Sequence, residues 1–228
     1  MLAQRHTPTT RIGTMEPTTP LAEQILTAAA DILIGDGVDA LGYGTLAERT
    51  GRDRADISAV YPVFEELLAD LLTRETAELS RIVVDNVERD PRGGLPSRIF
   101  GYALAAVYEH PLARALYLSD PAGLNVIMRA VDGVAAVPDL SIHPHLIAAL
   151  QEVGMVRADI DPAAVTAVIS VLGSGVAMSA PGQQLDRVSA GLVTMLERAV
   201  DADVLDTTPG KVVFFRYAES LVVAPLPR

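Results

Sequence analysis

The sequence predicts an all-α protein in two parts, a small helical module over residues 19–72 and a larger helical domain over residues 73–228. Three observations carry that expectation. Apolar residues recur at helical spacing, first as Ile25, Ala28, Ala29, Ile32 and Leu33, then as Leu67, Leu68, Leu71, Leu72, Leu79 and Ile82. Two short helical segments, residues 46–50 and 54–60, are separated by Gly51-Arg52-Asp53, the spacing of a helix-turn-helix. Beyond residue 90, Asp-Pro pairs and glycines punctuate the chain where helices start and stop.

Residues 1–18 are rich in Thr, Pro and polar side chains and predict a disordered arm, with Arg5 and Arg11 as its cations. Such an arm is either an untethered terminus or one that reaches a DNA minor groove. Thr19-Pro20 reads as the N-cap and first position of a helix that ends at Gly35 and Gly37. Gly51 supplies the left-handed residue a tight turn needs, Asp53 caps the next helix, Asp56 lies in its first turn and Ile57 anchors it inward. Pro62 breaks the chain before a long helix, and residues 90–94 form a loop. Pro96 opens a helix that stops before His110-Pro111, and a short one follows around residues 112–118. Asp120-Pro121 caps another, with Leu124, Ile127, Met128 and Val131 facing inward. Residues 138–144 read as a loop, 146–153 as a helix closed by Gly154, and Asp161-Pro162 as a helix start.

Residues 163–178 are almost wholly apolar or small, so that helix needs cover on every side. Residues 185–200 carry a one-sided apolar stripe, Val188, Leu192, Met195, Leu196 and Ala199. Gly173 and Gly175 allow close approach, and a second copy of the chain is the simplest partner for the excess apolar surface. The expected homodimer interface is therefore Val168, Leu172, Gly175, Val176, Val188, Leu192 and Met195. The tail, residues 211–223, is either a final helix with Val213, Arg216, Tyr217 and Leu221 on one face or an extended segment over an apolar groove.

One stretch of this pattern matches a known family. Ile25-Leu26-x-Ala28-Ala29, Gly37-Val38-Asp39-Ala40, Leu46-Ala47-Glu48-Arg49-Thr50-Gly51, and Tyr61-Pro62 followed by Glu66-Leu67-Leu68 resemble, without a gap, the N-terminal domain of the TetR family of bacterial transcriptional regulators. The resemblance covers about a quarter of the chain and implies a TetR-like fold. By that resemblance the long fourth helix joins the DNA-binding and ligand-binding parts, and the two helices of residues 163–200 form a four-helix bundle with a second subunit. Five positions depart from the family pattern where DNA would be touched: Gly42, Gly44, Ser58, Val60 and Phe64. The residues expected to meet a duplex DNA operator are Arg52, Arg54, Ala55, Ser58 and Ala59, supported by Tyr43 and Tyr61.

Charge bears on that expectation. The chain of 228 residues carries −11, and residues 20–72 hold 3 arginines against 10 acids, or −7. Binding to DNA draws on neutralised phosphates, so the few cations, Arg49, Arg52 and Arg54, must sit on one face. The alternative is that they pair with Glu48, Asp53 and Asp56. No apolar stretch predicts a membrane span and the N-terminus lacks the apolar core of a signal peptide. Cysteine is absent, which fits a cytoplasmic location.

No nucleophile, phosphate-loop or metal motif is present, so neither an enzyme nor a cofactor is expected. His143 and His145 flank Pro144 without an identifiable third ligand. A pocket for a small hydrophobic or aromatic effector is expected among Tyr102, His110, Arg114, Tyr117, Met128 and Met155. Two functions follow: a ligand-responsive repressor, or the same fold with DNA binding lost and a small-molecule, partner or catalytic role in its place.

Overall fold

The computed structural model describes residues 20–131, 144–179 and 182–222. The arm of residues 1–18, most of the 138–144 loop with His143, and the surroundings of Tyr117, Gly175 and Val176 lie outside the described residues. Eleven α-helices occur among those described: α1 Leu21–Gly35, α2 Tyr43–Thr50, α3 Arg54–Val60, α4 Phe64–Arg89, α5 Pro96–Glu109, α6 Pro111–Arg114, α7 Pro121–Val131, α8 Pro144–Glu152, α9 Pro162–Ser179, α10 Gly182–Ala199 and α11 Thr208–Val222. No strand accompanies them; an antiparallel bridge joins Val156 to Asp201. None of these helices is long and apolar enough to cross a membrane.

The N-terminal module forms as its sequence dictates, with two local differences. Pro20 is the residue before α1 rather than its first, its ψ of 145° keeping it extended. Gly37 and Gly51 take φ of 82° and 66°, a region where a Cβ is penalised. Asp53 sits at the N-cap of α3 with extended backbone, but its carboxylate makes no capping hydrogen bond. At α2 the missing cap on Gly42 is replaced in part by Thr45, whose Oγ1 accepts the Gly42 N–H at 3.1 Å and donates to the Ala40 carbonyl at 2.7 Å.

The buried face of α1 (Ile25, Ala29, Ile32, Leu33) meets Leu46, Ile57, Leu67 and Leu71 in one core. That core does not close within the first 72 residues. Leu112 of α6, Leu116 in the π-helical turn Ala115–Ser119, and Ile127 and Val131 of α7 complete it. A second core joins the far half of α4 (Leu79, Val83, Val87) to α5, α8, α9, α10 and α11. The helix α4 therefore belongs to both. Met128, expected to face inward on α7, is 40 % exposed, because Ile127 takes the inward position beside it.

The tail resolves as a helix. Asp206 Oδ1 caps α11 by accepting the Thr208 N–H at 2.9 Å. Its buried residues are Phe214 and Ala218, with Val213, Tyr217 and Leu221 only partly covered. Its start is pressed against the 90–94 loop: a Cβ at Gly210 would stand 2.2 Å from the Gly94 carbonyl oxygen. Thr207 Oγ1 donates to the Pro91 carbonyl at 2.8 Å, and Lys211 Nζ to that of Glu88 at 2.9 Å.

Asp201 caps α5 from 104 residues away. Its carboxylate accepts the Ser97 N–H at 3.0 Å and the Ser97 hydroxyl, near a helix start where Leu95 offers no acceptor. Burial pushes the Asp201 carboxyl above the usual carboxylate range, with the Ser97 hydrogen bonds opposing the shift.

Two expectations follow. Gly210→Ala should lower stability by about 1–3 kcal/mol through the backbone clash, whereas Gly44→Ala, with open space around its Cβ, should raise it by about 0.5 kcal/mol through helix propensity; urea unfolding checks both. For Asp201 the folded carboxyl holds its proton more tightly than the unfolded one. Its contribution to stability therefore falls as pH rises from the ordinary carboxylate value through the raised folded one. Asp201→Asn should remove that slope and keep an acceptor for the Ser97 N–H, while Asp201→Ala should cost about 1–3 kcal/mol by leaving it unpaired, as read by unfolding at stepped pH.

Candidate functional site

The structure holds two places where function can reside, the outward face of α3 and a cavity beside α4. Ile57 is wholly buried, and around it Arg54, Ala55, Asp56, Ser58, Ala59 and Val60 are exposed on one short helix. Arg52, in the turn, is exposed as well. Arg49 is taken by Asp36 of the α1 C-cap at 2.9 Å, not by a neighbour on α2 or α3. Among the described residues no carboxylate pairs with Arg52 or Arg54. The Arg54 guanidinium instead lies 5.9 Å from the centre of the Tyr43 ring.

The two tyrosines expected to support DNA contact are scaffold residues first. Tyr61 is only 6 % exposed and its hydroxyl bonds Asp70 at 3.1 Å, which ties α3 to α4 and takes it off the outward face. Tyr43 donates to the Tyr61 carbonyl at 2.7 Å and meets Phe64 edge-on at 5.2 Å. Partial burial raises the Tyr43 hydroxyl above its ordinary value; Glu65 and Glu66 push the same way while Arg54 opposes them. Two carboxylates therefore stand beside the aromatic cluster at the start of α4.

The cavity has a volume of about 100 Å³ and lies between α4, α5, α8 and α11. Its wall is apolar, with Leu79 and Val83 facing Ile99, Val107, Leu146, Phe214 and Leu221. Thr76, Ser80 and Tyr217 are its polar side chains. Space remains because small residues line up there: Ala103 and Ala106 on α5, and Ala218 on α11.

Among the described residues, none of those expected to bind an effector lines this cavity. Tyr102 and Arg98 both bond Asp90, at 2.9 and 2.7 Å, and fasten the loop after α4. Burial disfavours the Asp90 charge, but those bonds and the Arg92 N–H outweigh it and hold the carboxyl below its usual range. Met155 is buried under Gly210 and packs the α11 start. Arg114 and Met128 are exposed. His110 lies against Glu75, 3.3 Å from Nε2 to Oε2. Tyr108, on α5, sits in the larger core, where burial pushes its hydroxyl up to about 12. The cavity is lined by Phe214 and Tyr217 rather than by the aromatic and Met side chains the sequence suggests, and the gap itself is left by alanines; the pair Ala103 and Ala106, three apart on one helix, is its signal in the sequence.

The expected dimer surface divides in two. Val168 and Met195 are 56 % and 63 % exposed, joined by Val171 at 71 %. Leu192 is buried in the chain's own core and Val188 is packed partly against it, because α10 lies on α5; Leu172, on α9, is packed partly against the same core. No group of three metal-ligating side chains occurs among the described residues.

No protein-family model and no curated protein matches the sequence. Solved structures do match the fold. A TetR-family transcription regulator from a Shewanella species superposes with a TM-score of 0.53 at 17 % identity, over 81 % of this chain and 100 % of that one. A structure described for the control of antibiotic production by bacterial hormones gives 0.58 at 19 %, over 80 % and 98 %. A γ-butyrolactone receptor gives 0.51 at 15 %, over 87 % and 96 %. The chain has the all-α fold of TetR-family regulators.

Filling the cavity should abolish its occupancy. Benzene or xenon, which enter apolar cavities of about 150 Å³, should raise the unfolding temperature of the native chain and leave that of Ala103→Leu unchanged, as measured by calorimetry with and without the probe.

Proposed function

We propose that the chain is a ligand-responsive DNA-binding transcriptional regulator, a repressor released from its operator by a small hydrophobic or aromatic molecule. One observation carries the reading: α3 presents Arg54 outward with Arg52 beside it, both without a carboxylate partner, on a module whose rear helix α4 is also the wall of an apolar cavity. A γ-butyrolactone receptor shares this fold, so the fold accommodates a small-molecule receptor. The exposed Val168, Val171 and Met195 form the surface on which two copies pair. A dimer would set two α3 helices in successive major grooves about 34 Å apart. An occupant of the cavity releases DNA only by favouring another separation of those helices, through a difference in affinity between the two states.

A second reading is favoured by a specific feature. Glu65 and Glu66 occupy the first turn of α4, and burial and their charges together raise the Tyr43 hydroxyl, within a module at −7. On this reading DNA binding is lost and the cavity serves a small-molecule or partner-binding protein.

Selection of purified protein against random duplex DNA decides between them. The regulator should enrich a two-half-site sequence at about 50 mM salt and weaken at about 200 mM. Arg52→Ala and Arg54→Ala should each lower the slope of log affinity against log salt by about 0.9 for each phosphate lost per site. No enrichment at either salt from a folded dimer selects the second reading.

A further inference from the structure

A polar cluster interrupts the two apolar cores where α4 passes from one to the other. Arg74 of α4 clamps α1: its guanidinium donates to Glu23 Oε1 at 2.9 Å, Thr27 Oγ1 at 3.2 Å and the Leu26 carbonyl at 3.3 Å. The same guanidinium grips its neighbour Glu75 through Nε and Nη2, at 2.9 and 2.6 Å to Oε1. The other carboxylate oxygen of Glu75 faces His110 Nε2 at 3.3 Å. His110 is the joint residue between α5 and α6, its carbonyl accepting the Arg114 N–H at 2.9 Å. The Glu75 and His110 side chains are each only 14 % exposed, and His110 Nδ1 is buried without a partner.

The cluster adjoins cavity-lining residues in sequence on both helices. Thr76, a cavity residue, directly follows Glu75 in α4. Ala106 and Val107, on the other wall, lie in the last turn of α5 before His110. Anything that widens the gap between α4 and α5 must therefore lengthen the Glu75–His110 contact. With His110 moved away, Glu75 keeps Arg74 through Oε1 alone, and the part-buried Oε2 must find another partner or draw in water. Arg74, which shares Glu75 with His110, then changes its hold on α1.

We propose that Arg74, Glu75 and His110 form a relay that reports the state of the cavity to α1, and through α1 to the placement of the helix-turn-helix. The proposal rests on the cavity being the effector site. His110 and Glu75 act in it as positioning residues.

The chain has no cysteine, so a single Ala103→Cys can carry a chosen group into the cavity. Full-length protein modified with benzyl methanethiosulfonate is compared with the methyl adduct, reading amide hydrogen exchange over α1. In the otherwise native chain the benzyl group should change α1 exchange by about fivefold or more, the lower range of allosteric couplings. With His110→Ala that response should vanish while unfolding stays cooperative, and with His110→Gln, whose amide can still face Glu75, it should return. Glu75→Gln is the second variant if His110→Ala fails to fold, and it too should abolish the response. An equal α1 response in the broken variants, or none in the native chain, overturns the relay. The regulator reading is scored separately on selected duplex DNA. An α1 response that needs His110 in a protein binding no operator supports the relay and removes that reading. Operator binding without any α1 response keeps the reading and overturns the relay.

Discussion

The structure depends on one constraint, that α4 be buried at both ends in different company. Its 26 residues span about 39 Å at the rise of an α-helix. Leu67, Leu68 and Leu71 lie in the core shared with α1, α2, α3, α6 and α7, and Leu79, Val83 and Val87 in the core shared with α5 and α8 to α11. A rod anchored this way cannot shift at one end without repacking the other, since cores of native density resist small displacements. The residues between the anchors, Thr73 to Thr76, are polar, and they are where the rod meets α1 and the α5–α6 joint. Mechanical continuity comes from the leucines, while the specificity of the junction comes from hydrogen bonds.

The N-terminal core explains why α6 and α7 sit where they do. Leu112, Leu116, Ile127 and Val131 are deeply buried, and they belong to the core of the helix-turn-helix and the first half of α4 rather than to the core that holds the cavity. A three-helix module of some fifty residues buries too little surface to stand alone comfortably. Borrowing apolar cover from α6 and α7 remedies that, and it makes the module sensitive to their position. The close seat of α7 on the 3₁₀ turn at Val38–Ala40 is visible at Gly123, where a Cβ would stand 2.5 Å from Val38 Cγ2.

Much of this was legible in the sequence. The stripe of Ile25, Ala29, Ile32 and Leu33, the left-handed Gly51 and the inward Ile57 each have a local cause, and each forms as that cause requires. The long-range features were not legible. Asp201 caps a helix 104 residues earlier, and no local window relates the two. The tail's β-branched and aromatic residues left helix and extended segment equally open; the 90–94 loop and the groove beside α4 decide for helix. Of the large side chains at helical spacing that the sequence marks for an effector, Met155 lies against the start of α11 and Tyr102 holds the 90–94 loop, and neither lines the cavity. A cavity is a deficit of atoms, and its mark in the sequence is alanine.

Electrostatics at the outward face sets the terms of any DNA complex. Arg52 and Arg54 carry two positive charges toward a duplex, while Asp53, Asp56, Glu65 and Glu66 lie within the same short stretch of chain. In water at physiological salt, opposing charges more than about 8 Å apart are largely screened from one another, so the net −7 of the module matters less than what stands next to each phosphate. Tyr43 is the central neighbour: its ring meets both the Arg54 guanidinium and the edge of Phe64, and burial and the Glu65 charge raise its hydroxyl. Any phosphate that approached this face would meet Arg52, Arg54 and the neutral Ser58 hydroxyl, with Glu65 and Glu66 in the first turn of α4 nearby in the chain. Two arginines can neutralise few phosphates, so charge alone supplies little affinity for a polyanion on this face.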